Sequence, residues 1–175
     1  MIVELSQIPD EGLEVDFREA LRLEGEAGEG APCPVEAEVR LVKTGVGVAV
    51  WGRFRCTVHL PCSRCLEPFP LPLGESFEVQ YLSSRAMGHE EESELSGADL
   101  DVLPLAEDRI DLAALLRENL FLSLPVQPLC AEGCRGLCPR CGANLNAGPC
   151  GCPTGRPDPR LQALAKLKSA RPSGE

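Results

Sequence analysis

The chain has 175 residues, a net charge of −10 and ten cysteines. This length fits one compact domain, or one domain with a small appendage, and the charged (25%) and hydrophobic (43%) shares exclude a globally disordered chain. The acidic balance excludes a protein that coats nucleic acid with its whole surface, because such proteins are basic.

The N-terminal segment predicts neither a signal peptide nor a membrane anchor. It lacks a basic stretch followed by a long apolar run, and no apolar stretch approaches the roughly 20 residues that a membrane span needs. We therefore expect a cytoplasmic protein, whose clustered cysteines indicate metal binding before disulfides. Residues 24–32, rich in Glu and Gly, predict a solvated acidic loop.

Strict alternation of apolar and polar residues predicts a sheet over about residues 35–82. A first strand begins at Val35, and a long second strand follows with its apolar residues at even positions from 46 to 60. The pattern continues to Tyr81, but three prolines between 68 and 72 restrict that part to an edge strand or an irregular piece. Short connections favour antiparallel pairing.

Beyond the sheet, the sequence predicts a loop and two helices. Residues 83–108 are acidic and predict a long solvated loop. Residues 111–124 have helical spacing, with Asp111 as the N-cap and Pro125 as the end of the helix. Its apolar stripe is formed by Leu112, Leu115, Leu116 and Leu120. A short C-terminal helix is predicted over 158–168.

These elements predict an α+β fold. It consists of an antiparallel β-sheet or partial barrel with a packed helix, followed by a small cysteine-rich tail of the zinc-knuckle type and the short C-terminal helix. We place the boundary between body and tail after residue 129. The body, residues 1–129, carries 10 Lys and Arg against 24 Asp and Glu, whereas the tail, residues 130–175, carries 7 against 3. The acidic total therefore conceals a basic tail.

Eight of the cysteines form four close pairs with the spacing of metal ligands. The pairs, in chain order, are Cys62 with Cys65, Cys130 with Cys134, Cys138 with Cys141, and Cys150 with Cys152. A tetrahedral zinc ion takes four thiolates, and a close pair on a tight turn supplies two of them from one loop. Eight ligands predict two zinc ions, and closed all-cysteine sites are structural. Cys56 is interpreted as a core residue, and Cys33 lies in a predicted loop.

The sequence leaves two groupings of these pairs open. The first grouping joins the first pair to the second and the third pair to the fourth. The second grouping joins the second pair to the third and leaves Cys62 and Cys65 free or redox-active. Three alternatives to zinc also remain. The cysteines could be inert thiols or form adventitious disulfides, or they could hold an iron–sulfur cluster, because thiolates bind iron as well as zinc.

The residues around these cysteines resemble a known family. The run Cys-Ser-Arg-Cys-Leu-Glu-Pro-Phe at 62–69 is similar to the mid-chain motif of the large ribosomal RNA subunit accumulation protein family. Segments at 110–130 and 134–152, and the tail at 158–168, follow in that family's order. The resemblance covers most of the chain from about Val35 onward.

The resemblance implies a bacterial or plastid factor in the synthesis, processing or stability of 23S ribosomal RNA. Its expected partner is a large-subunit ribosomal RNA precursor or a ribosomal protein, with no membrane and no small-molecule substrate. The sequence contains no phosphate-binding or dinucleotide-binding glycine motif and no catalytic histidine constellation, so we predict that it is not an enzyme.

We expect the basic residues of the tail to contact RNA or the partner. They are Arg135, Arg140, Arg156, Arg160, Lys166 and Lys168. The sequence leaves two alternatives open. The first is a zinc-stabilised adaptor that binds a ribosomal protein without touching RNA, and the second is a thiol redox protein.

Overall fold

A computed structural model describes residues 1–23, 32–83, 102–105 and 107–153. Among these residues, no helix has both the length and the apolar character that a membrane-spanning helix needs. The C-terminal helix predicted over 158–168 lies outside the described residues, as does most of each predicted acidic loop.

The chain divides into two compact units, residues 1–134 and residues 135–175. The first unit holds all the strands and helices that the structure describes. In the described part of the second unit, the backbone forms turns and one isolated β-bridge, between Leu137 and Asn144. Cys130 and Cys134 therefore belong with the body of the protein, and the other two cysteine pairs belong to the second unit.

The first unit is built on a five-stranded sheet. Its strands, in their order across the sheet, are β2 (Leu13–Leu21), β3 (Cys33–Lys43), β4 (Gly47–Pro61), β5 (Pro68–Ser83) and β6 (Val102–Leu105). The strands from β2 to β5 are antiparallel, and β6 pairs parallel with the end of β5. The predicted antiparallel sheet is thus confirmed, with one parallel pair added at its edge. A separate two-stranded sheet joins β1 (Ile2–Glu4) to β7 (Arg109–Asp111).

The sheet is larger than the predicted span of 35–82. The strand β2 precedes that span and pairs with β3 along nine residues, because Leu13, Val15 and Phe17 continue the same alternation. The loop predicted over 83–108 is wrong at 102–105, where β6 forms against β5 and buries Leu105. The predicted edge is confirmed among the described residues, since the proline-containing start of β5 pairs only with β4.

One hydrophobic core joins the inner face of the sheet to the helix α1 (Leu112–Leu122). The helix contributes the predicted leucine stripe, and all four of its leucines are buried. The inner residues of β3 and β4 alternate with exposed residues on the other face of the sheet. Packing of α1 against this core brings the chain that follows the helix back towards the end of β4, where the first cysteine pair lies.

The helix begins and ends slightly inside its predicted range of 111–124. Asp111 caps it as predicted. Its Oδ1 accepts from the backbone N–H of Ala113 at 3.0 Å and from the backbone N–H of Ala114 at 3.3 Å. The last turn of the helix ends before Pro125, where the backbone N–H of Ser123 donates to the backbone carbonyl of Asn119 at 3.0 Å.

Replacing the cap residue should weaken the first unit. We expect Asp111→Ala to lower the free energy of unfolding by about 1 kcal/mol, because two N–H groups of the first turn lose their acceptor. Asp111→Asn is the matched control, since asparagine caps equally well. Urea unfolding followed by circular dichroism measures both. Equal stability of the two variants would contradict the capping role.

Candidate metal centres

The first cysteine cluster unites the end of β4 with the chain beyond α1. It consists of Cys62, Cys65, Cys130 and Cys134, whose sulfur atoms all lie within 4.8 Å of one another. The members are separated by up to 72 residues in sequence, so the folded sheet and helix are needed to bring them together. Three of the four are buried, and Cys130 is exposed.

The sulfur separations fit a tetrahedral metal site. The Sγ atoms of Cys62 and Cys134 are 3.8 Å apart, and those of Cys65 and Cys130 are 3.7 Å apart. A tetrahedron with metal–sulfur bonds of 2.3 Å has sulfur–sulfur edges of about 3.8 Å. A disulfide would need a sulfur–sulfur distance of about 2.05 Å. The cluster therefore has the dimensions of a four-thiolate site, and not of two disulfides.

A tight turn presents Cys62 and Cys65 on the same side. The backbone N–H of Cys62 donates to the carbonyl of Glu67 at 2.9 Å, and the N–H of Leu66 donates to the carbonyl of Cys62 at 2.9 Å. This turn requires a left-handed backbone at Leu66, whose φ is +62°. Leucine rarely adopts that conformation, and its side chain is 64% exposed here. The position therefore serves the turn and not the core.

The segment that carries Cys130 and Cys134 is fastened to this turn through Arg64. The backbone N–H of Ser63 donates to the carbonyl of Pro128 at 2.8 Å. The guanidinium Nη1 of Arg64 donates to the carbonyls of Glu132 at 3.2 Å and Cys134 at 3.0 Å. Arg64 thus connects the two cysteine pairs through two main-chain carbonyls. The sequence pattern alone places this arginine within the motif at 62–69 and does not reveal this role.

The second cluster repeats the first on a smaller scale. It consists of Cys138, Cys141, Cys150 and Cys152, again with all sulfur atoms within 4.8 Å of one another. The N–H of Cys138 donates to the carbonyl of Ala143 at 2.8 Å, and the N–H of Gly142 donates to the carbonyl of Cys138 at 2.9 Å. These bonds have the same offsets as those of the first turn, and Gly142 takes the left-handed position with φ +72°.

The two clusters follow the first of the two groupings that the sequence left open. Each cluster contains one pair in a Cys-x-x-Cys turn and a second pair from further along the chain. Cys33 and Cys56 belong to neither cluster. Both are buried on adjacent strands, and burial raises the pKa of the Cys56 thiol to about 12. Cys56 is therefore a core residue as interpreted, whereas Cys33 begins β3 and does not lie in a loop.

Backbone N–H groups aim at the sulfurs of Cys62 and Cys138 and favour the thiolate form of each. The N–H of Cys130 is the largest cause that lowers the pKa of Cys62, to about 6. The N–H groups of Cys141 and Arg140 lower the pKa of Cys138 to about 6 in the same way. Hydrogen bonds with the sulfurs of Cys141 and Cys150 favour the protonated thiol of Cys152 and raise its pKa to about 12. Cys62 and Cys138 are therefore more readily ionised, whereas the raised pKa values of Cys130 and Cys152, both about 12, favour the protonated thiol there.

The structure describes two of the six tail residues expected to contact RNA or a partner. Arg135 and Arg140 are exposed in the second unit. The backbone N–H of Arg135 donates to Oδ1 of Asn146 at 2.7 Å, which fixes its main chain and leaves the guanidinium at the surface. The other four, Arg156, Arg160, Lys166 and Lys168, lie outside the described residues.

A family model described as "Large ribosomal RNA subunit accumulation protein YceD" matches residues 50–168. The match spans both cysteine clusters and the helix α1. The chain belongs to the YceD family. This agrees with the resemblance drawn from the motifs around the cysteines.

Curated relatives agree with the family at modest identity. The chloroplastic "Large ribosomal RNA subunit accumulation protein YCED homolog 1" of Zea mays is 28% identical over 159 residues, which cover 77% of this chain and 53% of that relative. Its counterpart in Arabidopsis thaliana is 23% identical over 156 residues, covering 77% and 49%. The chain therefore spans about half the length of these plant members of the YceD family.

A bacterial relative matches over nearly its whole length. The uncharacterised protein YlbN of Bacillus subtilis is 27% identical over 173 residues, covering 95% of this chain and 94% of that protein. No solved structure matches the chain.

Gly142, the left-handed glycine of the turn that carries Cys138 and Cys141, provides a test of the turn geometry. We expect Gly142→Ala to destabilise the turn by about 1 kcal/mol, because an alanine there strains the backbone although its Cβ meets no other atom. Amide hydrogen exchange at Cys138 and at position 142 should accelerate accordingly.

Gly133→Ala is the matched control for this experiment. Gly133 lies beside a cluster cysteine and is equally open, but it is not among the left-handed glycines. Its replacement should leave exchange at the Cys134 amide unchanged. Equal effects of the two substitutions on their own turns would contradict the geometric argument.

Proposed function

We propose that this chain is a non-enzymatic cytoplasmic factor for the accumulation of large-subunit (23S) ribosomal RNA. Membership of the family, over residues 50–168, is the observation that carries this proposal. The clusters add support, since closed sites of four cysteines have no open position for a substrate. On this proposal, the factor acts by binding a ribosomal RNA precursor or a ribosomal protein.

Two structural zinc ions are the metals that we assign to the clusters. All eight donor atoms are sulfurs, which favour zinc or iron over magnesium and calcium. In the first cluster, the sulfur–sulfur separations of 3.7 and 3.8 Å fit a single ion. A bound divalent cation would allow all four thiols of a cluster to ionise, which their mutual crowding otherwise opposes. Each ion would cross-link the two cysteine pairs of its cluster and so stabilise the folded chain.

The second unit has the greater need of such a cross-link. Among its described residues, Cys138 is the only hydrophobic side chain that is buried. Its described backbone contains turns and one β-bridge, without a helix or a longer strand. A segment with so little core does not fold on hydrophobic burial alone. A metal held by the four cysteines would therefore supply most of its stability.

Native mass spectrometry should count two zinc ions per chain. We expect Cys65→Ser to remove one ion and Cys141→Ser to remove the other, because each deletes one of the four ligands of its own cluster. Cys56→Ser is the control, since this thiol lies outside both clusters. Retention of two ions in both ligand variants, or bound iron with visible absorption, would contradict the assignment.

Arg64 should determine how tightly the first cluster holds its ion. We expect Arg64→Ala to weaken zinc binding there by about tenfold, since the loop of Cys130 and Cys134 loses its two bonds to the guanidinium. Competition with a chromophoric chelator measures the effect. Arg55→Ala is a matched control on the exposed face of β4. Unchanged affinity in Arg64→Ala would contradict its positioning role.

The proposed cellular role has a direct test. Depletion of the protein should lower the ratio of 23S to 16S ribosomal RNA, and the wild-type gene should restore it. Complementation with a variant in which Arg135 and Arg140 are both glutamine tests whether these exposed tail residues are needed. An unchanged ratio after complete depletion would contradict the proposed function.

An adaptor that binds only a ribosomal protein is the second candidate. The charge of the body favours it, because residues 1–129 carry 24 acidic residues against 10 basic ones, and a polyanion such as RNA is repelled by such a surface.

A further inference from the structure

The outer face of the sheet carries an exposed tryptophan in a cleft that neither cluster uses. Trp51 lies on β4 and is 39% exposed. It is the only tryptophan of the chain. A cleft of about 610 Å³ surrounds it and is lined by residues of β2, β3, β4 and β5. Large aromatic side chains left at the surface of a sheet are typical anchors of binding sites.

The strand register places charged residues on both sides of this tryptophan. Arg40 on β3 and Glu78 on β5 are its direct cross-strand neighbours. Glu14 on β2 lies opposite Arg40, so these four residues form one row across the sheet. Residues that face each other in this way have Cβ atoms about 5 Å apart. A ligand side chain over the indole ring would therefore lie within reach of a carboxylate.

A second row makes the cleft more acidic. It contains Asp16, Glu38 and Arg53, in register across three strands. The Nε of Arg53 donates to a carboxylate oxygen of Glu38 at 3.0 Å, so these two charges compensate each other. Within the part of the chain that the structure describes, Asp16, Glu14 and Glu78 take part in no salt bridge. Among the described residues, Arg40 likewise takes part in no salt bridge, so the cleft carries three such carboxylates and one such arginine.

We propose that this cleft binds an arginine- or lysine-rich segment of a partner protein, with a cationic side chain over the indole ring of Trp51. A cation is attracted to the face of a tryptophan ring, and the uncompensated carboxylates beside it attract the same charge. A phosphate backbone would meet repulsion from those carboxylates. That the segment belongs to a ribosomal protein rests on the proposed function, whereas the preference for a cationic peptide rests on the cleft alone.

The lone tryptophan allows binding to be measured on the full zinc-loaded chain. The probe is a short unstructured peptide of alternating arginine and serine, and its control has glutamine in place of arginine. We expect the first peptide to change the fluorescence of Trp51 in a saturable manner, with an affinity that falls as salt rises. The glutamine peptide should leave the fluorescence unchanged.

Variants assign the binding to the cleft. With a labelled peptide and fluorescence anisotropy, Trp51→Ala should weaken binding about tenfold, and Glu78→Gln about threefold. Glu75→Gln is the matched control, because Glu75 is an exposed acid on the same strand that does not line the cleft. It should bind as the wild type does, and circular dichroism checks that all variants fold.

Three outcomes would overturn the proposal. Equal weakening by Glu75→Gln and Glu78→Gln would show attraction to the overall charge of the protein. Saturable quenching by a single-stranded oligonucleotide, without quenching by the peptide, would make the face an RNA surface. Concentration-dependent dimerisation that Trp51→Ala abolishes would make it an interface between two copies. Each of these results is obtained without reference to ribosomal RNA levels, so it leaves the test of the proposed function independent.

Discussion

The convergence of two cysteine pairs that lie more than 60 residues apart in sequence is the constraint on which the rest of the first unit depends. Cys62 and Cys65 lie where the chain leaves the sheet at the end of β4, whereas Cys130 and Cys134 lie in the segment that follows the helix. Thiols crowded to within 4.8 Å cannot all ionise without a cation. A metal ion at their centre would close the long loop between the pairs and tie the helix to the sheet by a second connection besides the hydrophobic core.

The same turn geometry is used at both clusters with different residues. In each turn the backbone N–H of the first cysteine donates to the carbonyl of the residue five positions ahead. The residue after the second cysteine adopts a left-handed backbone conformation. Glycine meets this requirement at 142 without strain, whereas the first turn imposes it on Leu66. The first turn can accept this cost because the bonds of Arg64 and of the Ser63 N–H also hold it. The second turn has little core around it and uses glycine.

The sequence predicted what depends on local patterns. Alternation predicted β3 and β4, and the spacing of leucines with Asp111 predicted the helix and its cap. The cysteine spacing predicted the ligand sets but left their grouping open, because grouping depends on contacts between residues more than 60 apart. The sequence pattern also missed β6, because the four residues of this strand pair only with β5, a contact that the local pattern does not reveal. The bonds of Arg64 to two carbonyls, and the rows around Trp51, likewise depend on tertiary structure and strand register.

X-ray absorption at the zinc edge tests the central claim most directly. If both clusters are four-thiolate zinc sites, the purified protein will show four sulfur neighbours per zinc at about 2.3 Å and no nitrogen or oxygen neighbour. A shell that contains nitrogen or oxygen would mean that at least one cluster has an open position. Absence of metal from the freshly purified, folded chain would contradict the cross-linking role altogether.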